Sequence, residues 1–295
     1  MKIWRFAVIR NEMNKFNARR TVFAKKSFGQ NFLVDQNYIS KIIAALNPQN
    51  GEVIIEIGAG RGALTEVLVE TGANIIAIEL ERNMIAVLRE RFAGQTNFRL
   101  VEADALIVDF SELLAPGGLT CKPKLVANLP FNISTAILQK LIEQRDCFSE
   151  MILMFQREVV ERITAKVGNS ERGFLTVLTE ASLTAEKLFD VPPKAFSPAP
   201  KVWSAVVRLK PKADDKINNE NLFREIVSAG FRQKRKTILN NLKNAPPNLR
   251  EKIERRYDAQ MLLEVAGIKP NRRAETLTVE EWKKICFLIS PGEAD

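Results

Sequence analysis

The sequence predicts an α/β protein whose parallel sheet is followed by a small all-helical domain at the C terminus. Between residues 53 and 155, short apolar strands such as VIIEI and NIIAIEL alternate with helical segments. Strands that are separated by helices imply right-handed crossovers, and continuously apolar strands imply a sheet that is covered on both faces. Beyond the charged stretch at 210–215 the apolar residues recur at helical spacing only.

The elements follow one another in a regular order. The region 27–46 has helical spacing, and Pro48 and Gly51 then interrupt the pattern. The strands are predicted at 53–57, 75–80, 98–101, 124–127 and 151–155, with helices at 63–70, 82–92 and 134–143. Two later strands, at 183–191 and 203–209, flank the Pro-rich stretch PPKAFSPAP and are expected to form a hairpin at the edge of the sheet.

The same patterns divide the chain into three parts. Residues 1–26 contain eight basic residues and one acid, and we interpret them as a mobile basic arm. Residues 27–211 form the α/β domain, which is the candidate cofactor-binding part. Residues 212–295 form the helical domain, in which Thr278 and Glu281 make a capping-box signature.

Composition excludes several classes of chemistry. Histidine is absent, which removes the commonest general base and the commonest metal ligand. The three cysteines form no CxxC pair, so we expect reduced thiols, no metal site and a cytoplasmic protein. The sequence contains no run of about 18 apolar residues, so no membrane span is expected. The net charge of +9 favours a polyanionic partner, although a merely basic surface would look the same.

A glycine-rich loop is the first candidate site. In VIIEIGAGRGA a strand leads into Gly58, Gly60 and Gly62, where the backbone can turn sharply and approach a ligand closely. Glu79 ends the next strand, where a carboxylate can bind the two hydroxyls of a ribose. A nicotinamide or flavin site, or a turn without any ligand, would also fit this much. Asp104 closes the third strand and can meet an adenine amino group, which favours an adenosyl ligand.

The string Asn128-Leu129-Pro130-Phe131 ends the fourth strand and is the most specific signal. An adenine exocyclic amine is a poor nucleophile, and acceptors at Asn128 and near Leu129 can turn its lone pair outward. Pro130 stiffens this backbone, and Phe131 offers a ring for stacking. A sulfonium methyl donor is already activated, so placement supplies most of the rate and no imidazole is needed. The alternative is an Asn-Pro turn with a core Phe.

A base that reacts in such a pocket must first leave its stack. A second aromatic ring on its other face would hold it there, and Phe196 in the Pro-rich loop is the candidate. Simple packing of Phe196 beneath that loop explains its presence equally well.

Together these motifs resemble the ribosomal RNA adenine N6-dimethyltransferases, and among them the bacterial small-subunit (16S) enzymes. The resemblance covers residues 25–295. It is carried by KKSFGQNFLVDQ (25–36), EIGAGRGALT (56–65), IELER (78–82), EADAL (102–106), NLPFNIST (128–135), FQREVVERI (155–163), VPPKAFSPAPKVWSAVVRL (191–209) and FRQKRKTILNNL (231–242). It implies a Rossmann-like class I methyltransferase sheet and S-adenosylmethionine as the methyl donor.

The resemblance also implies roles for individual residues. Asn31 and Leu33 would contact the cofactor from the N-terminal segment. Gly58, Glu79 and Asp104 would hold its amino-acid, ribose and adenine parts, and Asn128 would serve both cofactor and target. Phe131 stands where the family commonly has tyrosine, which keeps the stacking surface and loses a hydroxyl.

The expected partner is 16S rRNA within the small ribosomal subunit, modified at two adjacent adenosines near its 3′ end, with the enzyme acting as a monomer. The basic residues Arg232, Lys234, Arg235 and Lys236 are candidates for phosphate contact, against the alternative of a solvated charged face. Three other functions remain open: a large-subunit methyltransferase that confers antibiotic resistance, an assembly factor that mainly binds immature subunits, and a dinucleotide-dependent hydride transferase.

Overall fold

The structure, a computed structural model, describes residues 31–115, 121–212 and 217–290. The strands are β1 (Phe32–Leu33), β2 (Val53–Ile57), β3 (Asn74–Glu79), β4 (Phe98–Glu102), β5 (Lys124–Asn128), β6 (Glu150–Gln156), β7 (Leu183–Val191), β8 (Phe196–Ser197) and β9 (Ser204–Pro211). The helices are α1 (Gln36–Leu46), α2 (Ala63–Glu70), α3 (Arg82–Arg91), α4 (Phe110–Leu114), α5 (Ser134–Glu143), α6 (Arg157–Ile163), α7 (Phe174–Ser182), α8 (Glu220–Gly230), α9 (Ile238–Lys243), α10 (Pro247–Glu254), α11 (Ala259–Ala266) and α12 (Val279–Ile289).

The predicted basic arm at 1–26 lies outside the described residues, as do residues 213–216 of the charged stretch. We refer to residues 31–212 as the sheet part and to residues 217–290 as the helical part. None of the helices described in either part is long and apolar enough to cross a membrane.

Seven strands form one sheet in the order β4-β3-β2-β5-β6-β9-β7. Strands β2 to β6 are parallel, and β9 runs antiparallel between β6 and β7, so the predicted hairpin at the sheet edge is confirmed. The strand order reverses on either side of β2, which is where open parallel sheets bind their ligands. We call the edge at which β2 to β6 end, and at which β9 begins, the carboxyl edge.

The predicted parallel strands and their helices agree with the structure to within one residue at each end. Two features differ. The helix expected within 27–46 begins only at Gln36, because Asp35 caps it by accepting from the Asn37 amide, and Phe32–Leu33 instead pair with Phe196–Ser197. Helix α4, between β4 and β5, and helices α6 and α7, which follow β6, were not predicted.

Two apolar clusters cover the two faces of the sheet. One cluster packs α1, α2 and α3 against residues such as Ile54 and Val126. The other begins on the opposite face with residues such as Leu125 and Leu153 and continues without a break to Phe223 of α8 and Trp282 of α12. Because one core runs through both, the helical part is packed firmly onto the sheet part.

Polar contacts add to this attachment. Arg172, whose side chain is fully buried, pairs with Glu180 and donates to the carbonyl of Leu277 at 3.4 Å, which joins the loop before α7 to the helical part. On α8, Glu220 pairs with Arg145 at 2.5 Å, and Arg224 pairs with Glu143 of α5 at 3.0 Å.

Charge is distributed unevenly between the two parts. The sheet part contains 20 basic and 21 acidic residues, whereas the helical part contains 15 basic and nine acidic residues. The excess of positive charge in the described residues therefore lies entirely in the helical part.

Candidate active site

The carboxyl edge brings together four of the predicted cofactor-binding residues. Gly58 directly follows β2, Glu79 ends β3, Asp104 lies just beyond β4, and Asn128 ends β5. Because these strands are neighbours in the order β4-β3-β2-β5, the four residues form a row about 15 Å long. An elongated ligand with three chemically different parts would lie along such a row.

The glycine loop opens toward Asn128. Gly58 has φ +71°, and a Cβ placed there would meet no atom nearer than the carbonyl oxygen of Asn128, at 3.9 Å. The peptide N–H of Gly58 donates to the Ile78 carbonyl at 2.9 Å, which ties the loop to β3. The backbone therefore leaves a space beside Asn128 that a side chain on Gly58 would fill.

Glu79 is held in one orientation by three backbone amides. Its carboxylate accepts from the N–H groups of Gly60, Leu80 and Glu81, each at 2.9 Å, and the residue is 8% exposed. A carboxylate that is fixed in this way retains lone pairs for the hydroxyl groups of a ligand. The predicted ribose contact is consistent with this geometry.

Asp104 is also oriented by the backbone, since its Oδ1 accepts from the Leu106 amide at 2.8 Å. Two apolar side chains next to the acids are strongly exposed: Leu80 is 55% exposed and Ile107 is 78% exposed. Sequence reasoning missed both, although an apolar residue one to three positions after a strand-end acid was a usable signal.

The N-terminal segment lies over the glycine loop. The Asn128 side-chain N–H donates to the carbonyl of Asn31 at 3.3 Å, and the guanidinium of Arg61 lies 4.3 Å from the centroid of the Phe32 ring. A Cβ on Gly60 would stand 3.2 Å from that ring, so the glycine permits the close approach. Asn31 is thus in direct contact with Asn128, and the predicted cofactor contacts of both residues stay predictions.

Leu33 is placed differently from Asn31. Its side chain is 3% exposed within the cluster on the α1 face, and its backbone pairs with Phe196. Any contact between Leu33 and a ligand would therefore use the backbone.

The target-base motif forms a turn between β5 and α5. The Asn128 side chain is partly buried, and its oxygen accepts no hydrogen bond from the described residues. The Leu129 amide donates to the Met154 carbonyl at 3.4 Å, and the Pro130 carbonyl accepts from the Ile133 amide at 3.2 Å. Phe131, just beyond Pro130, is partly exposed.

Phe196 is placed less favourably for base stacking. It is 4% exposed and packs in the apolar cluster on the α1 face. This burial favours the packing alternative that the sequence left open. A role for Phe196 as a second stacking ring stays a prediction, and it would require the loop around Phe196 to move.

A buried carboxylate that the sequence did not single out lies directly behind the glycine loop. Glu56 of β2 is 2% exposed and accepts from the Thr65 hydroxyl at 2.6 Å. Burial raises the pKa of Glu56 from 4.5 to about 7; the Thr65 hydrogen bond opposes the rise and the nearby charge of Glu79 adds to it. Glu56 is thus a candidate support for the loop that contains Gly58.

The predicted RNA-binding residues lie on the loop that joins α8 to α9. Arg232, Lys234, Arg235 and Lys236 are all exposed, and Arg232 donates to the Asn244 carbonyl at 3.0 Å. In the parts of the chain that the structure describes, no group of three or more His, Cys, Asp or Glu residues is arranged to hold a metal ion.

Three features define a Rossmann-like methyltransferase: the strand order, the glycine loop, and the row of polar residues that runs from Asp104 and Glu79 to Asn128. Comparison with known proteins gives the family: residues 22–285 match the model of the ribosomal RNA adenine dimethylase family. The chain belongs to this family and is therefore an rRNA adenine dimethyltransferase.

Individual relatives agree with this assignment. The chain is 42% identical over 269 residues to the ribosomal RNA small subunit methyltransferase A of Hahella chejuensis, covering 90% of this chain and 93% of the relative. A dimethyladenosine transferase from Plasmodium falciparum has a similar structure, with a TM-score of 0.73 and 26% identity over 86% of this chain and 95% of that one. The 23S rRNA methyltransferase ErmE shares the fold, with a TM-score of 0.63 and 23% identity over 88% of this chain and 99% of that one.

Proposed function

We propose that this enzyme transfers methyl groups from S-adenosylmethionine to the N6 amines of two adjacent adenosines near the 3′ end of 16S rRNA, giving N6,N6-dimethyladenosine. One observation carries the proposal. The side-chain N–H of Asn128 is engaged by the Asn31 carbonyl, which leaves the side-chain oxygen as an acceptor, and the backbone carbonyl of Asn128 borders the space at Gly58. An acceptor in that place suits an amine that must present its lone pair to a methyl donor.

The residues of the carboxyl edge suit S-adenosylmethionine chemically. The open backbone at Gly58 and Gly60 suits the amino-acid part, and the fixed carboxylate of Glu79 suits the ribose hydroxyls. Asp104 supplies an acceptor for the adenine amino group, and the exposed apolar side chains of Leu80 and Ile107 suit the faces of the ring. When bound, the cofactor supplies an electrophilic methyl group on a sulfonium.

The protein's own contribution to the reaction is orientation. The oxygen of Asn128 and a backbone carbonyl near Leu129 accept hydrogen bonds from the N6 hydrogens, which directs the nitrogen lone pair along the line of transfer. Pro130 restricts the backbone that presents these acceptors, and Phe131 stacks on the base. The amine becomes acidic once it is methylated and can release its proton to solvent, so no strong base is required.

The RNA contact is proposed for the loop between α8 and α9, whose exposed basic residues lie in the positively charged one of the two described parts. Phosphate contacts fix the register of a nucleic acid without reading its sequence. The loop would hold the RNA while the target base is extruded into the pocket at Asn128. We further propose that the enzyme acts as a monomer in the cytoplasm and contributes to the biogenesis of small subunits.

The experiment offers the purified protein undermethylated small and large ribosomal subunits with methyl-labelled S-adenosylmethionine and maps the labelled nucleotides. We expect label only in small subunits, at two adjacent adenosines near the 3′ end of the RNA. Label in the large subunit would instead establish the resistance-type activity. An Asn128→Ala variant that transfers no methyl groups but still restores subunit maturation would favour an assembly factor.

A further inference from the structure

Trp203 is an unusually exposed aromatic residue at the carboxyl edge. It directly precedes β9 and is 45% exposed, whereas Trp282 of the helical part is fully buried. Its carbonyl accepts from the Arg157 amide at 2.9 Å, and the Arg157 guanidinium lies 6.0 Å from the centroid of the indole. The indole is therefore attached to the first turn of α6 but remains largely accessible.

The strand register places Trp203 near the target-base motif. Asn128 pairs with Met154 across β5 and β6, and Gln156 pairs with Ser204 across β6 and β9. Trp203 therefore lies two strands from Asn128, about 10 Å across the sheet, and about 10 Å further along the strand direction. In the strand order, Glu79 and Asp104 lie on one side of Asn128 and Trp203 lies on the other. Trp203 is therefore on the side away from the row of predicted cofactor-binding residues.

The chemistry of this surface suits a nucleotide. An indole can stack on any base, because every base has a π-face. Arg157 supplies a positive charge beside the ring, and its ion pair with Glu161, at 3.4 Å, is about half exposed and therefore weak. Lys201, two residues before the indole, is exposed and adds a second positive charge.

We infer that Trp203 stacks on a base that flanks the target adenosine while Arg157 contacts the adjacent phosphate. The inference rests on the proposed function, because it names a second contact for the RNA that enters the pocket at Asn128. Trp203 is a positioning residue, since it does not touch the reacting atoms. Stacking on Trp203 would hold the base next to the extruded adenosine. It would thereby fix the angle at which the target base enters the pocket at Asn128.

If the role of Trp203 were purely structural, Trp203→Ala would lose stability together with activity. Because 45% of Trp203 is exposed, its truncation removes much less buried apolar surface than truncation of a core tryptophan such as Trp282 would, and we expect Trp203→Ala to lower the thermal midpoint by only a few degrees. The matched control is Val202→Ala, which truncates the neighbouring side chain, 44% exposed but without a π-face.

The test measures methyl transfer to undermethylated small subunits by the full chain. We expect Trp203→Ala to lower kcat/KM about tenfold, Trp203→Phe to retain most of the activity, and Val202→Ala to stay within about twofold of the wild type. Affinity for S-adenosylhomocysteine should be unchanged in all three. Trp203→Ala activity equal to the wild type, or a loss of cofactor affinity parallel to the loss of activity, would overturn the inference.

A crosslinking experiment identifies the molecule that residue 203 contacts. A photoreactive benzoyl-phenylalanine is placed at position 203, and the adduct formed on small subunits is mapped. An adduct on an rRNA nucleotide within a few positions of the methylated adenosines supports the inference, whereas an adduct on a ribosomal protein contradicts it. Failure of the wild-type protein to methylate either subunit would contradict the proposed function itself, and this outcome is separate from those for Trp203.

Discussion

At the residue scale, the contact between Asn31 and Asn128 explains how one amide can serve two purposes. The side-chain N–H of Asn128 is satisfied by a carbonyl 97 residues earlier in the chain, which fixes the direction of its oxygen. An asparagine whose amide could rotate freely would present a donor as often as an acceptor. In the proposed function, the N-terminal segment contributes to catalysis by fixing this orientation, although it lies far from β5 in sequence.

Phe131 is expected to act on the target and not on the cofactor. Phe131→Ala should leave the affinity for S-adenosylmethionine within about twofold of the wild type and should lower methyl transfer by about 10- to 100-fold, because stacking contributes about 1–3 kcal/mol per base. Isothermal titration and single-turnover transfer to small subunits measure the two quantities. Phe131→Tyr is the control and should remain active. Equal losses of binding and transfer in Phe131→Ala would show that Phe131 is a core residue.

The raised pKa of Glu56 predicts that the stability of the protein depends on pH. Its pKa is raised to about 7 in the folded protein by burial, so the folded state holds a proton that the unfolded state releases near 4.5. The stability contribution present below pH 4.5 is therefore lost as pH rises through 7, and the full difference corresponds to about 3 kcal/mol.

Chemical unfolding of the cofactor-free protein at pH 4.5, 6 and 8 measures this effect. Glu56→Gln should remove the decline in the free energy of unfolding, since glutamine keeps the acceptor for Thr65 and has no charge. Glu70→Gln, at an exposed position, should leave the decline as it is in the wild type. A decline that is the same in Glu56→Gln and the wild type would exclude Glu56 as its source.

At the element scale, most of the sheet could be predicted because its strands are short apolar runs between turn signals. The glycine loop, Glu79, Asp104 and Asn128 were predicted for a related reason, since each lies at or just beyond the end of a strand and parallel strands end at one edge. For these strands the local sequence pattern and the topology of the sheet agree, so the sequence alone was sufficient to place these residues at one edge.

The elements that were missed depend on contacts distant in sequence. Phe32–Leu33 are a strand only because Phe196–Ser197 lie beside them, and no local pattern indicates this pairing. Helix α7 is buried along nearly its whole length, from Leu175 to Ser182, so it lacks the polar face that makes a helix recognisable. The exposure of Leu80, Ile107 and Trp203 also depends on the packing around them.

Arg172 is expected to stabilise the junction between the loop before α7 and the helical part. Its fully buried side chain pairs with Glu180 and donates to the carbonyls of Ala165 and Leu277. Arg172→Met should lower the free energy of unfolding by about 2–4 kcal/mol, because the buried carbonyls lose their donor.

Urea unfolding measures this loss, and Arg89→Met provides the matched control. Arg89 also pairs with a glutamate, Glu102, but both side chains are largely exposed, so its loss should cost less than about 1 kcal/mol. Equal effects of the two substitutions would show that the contacts of Arg172 to the helical part add nothing to stability.

At the scale of the whole molecule, the rigid connection between the two parts fixes the basic loop relative to the pocket. A continuous apolar cluster, which includes Leu153 and Trp282, joins the sheet part to the helical part. RNA that binds the loop between α8 and α9 is therefore presented to Asn128 at a set distance.

The basic loop should determine the salt dependence of RNA binding. Replacing Arg232, Lys234, Arg235 and Lys236 with glutamine should weaken binding to small subunits and reduce the slope of log K against log salt by up to about 3–4, because fewer counterions are released. Filter binding at several salt concentrations measures both values.

The control removes four basic residues from the sheet part: Arg89 on α3, and Arg99, Lys122 and Lys210 near the edge where β4 and β5 begin and β9 ends. It lowers the net charge by the same amount and should leave the slope nearly unchanged. An equal change of slope in both variants would show that only the total charge matters.

The uneven distribution of charge also affects the approach to the ribosome. Within the described residues, a nearly neutral sheet part packed against a positive helical part gives an electric dipole, and a dipole experiences a torque in the field of a polyanion. The torque on these parts favours approaches in which the helical part faces the RNA. The fraction of collisions that are productive should fall as added salt shortens the range of this field.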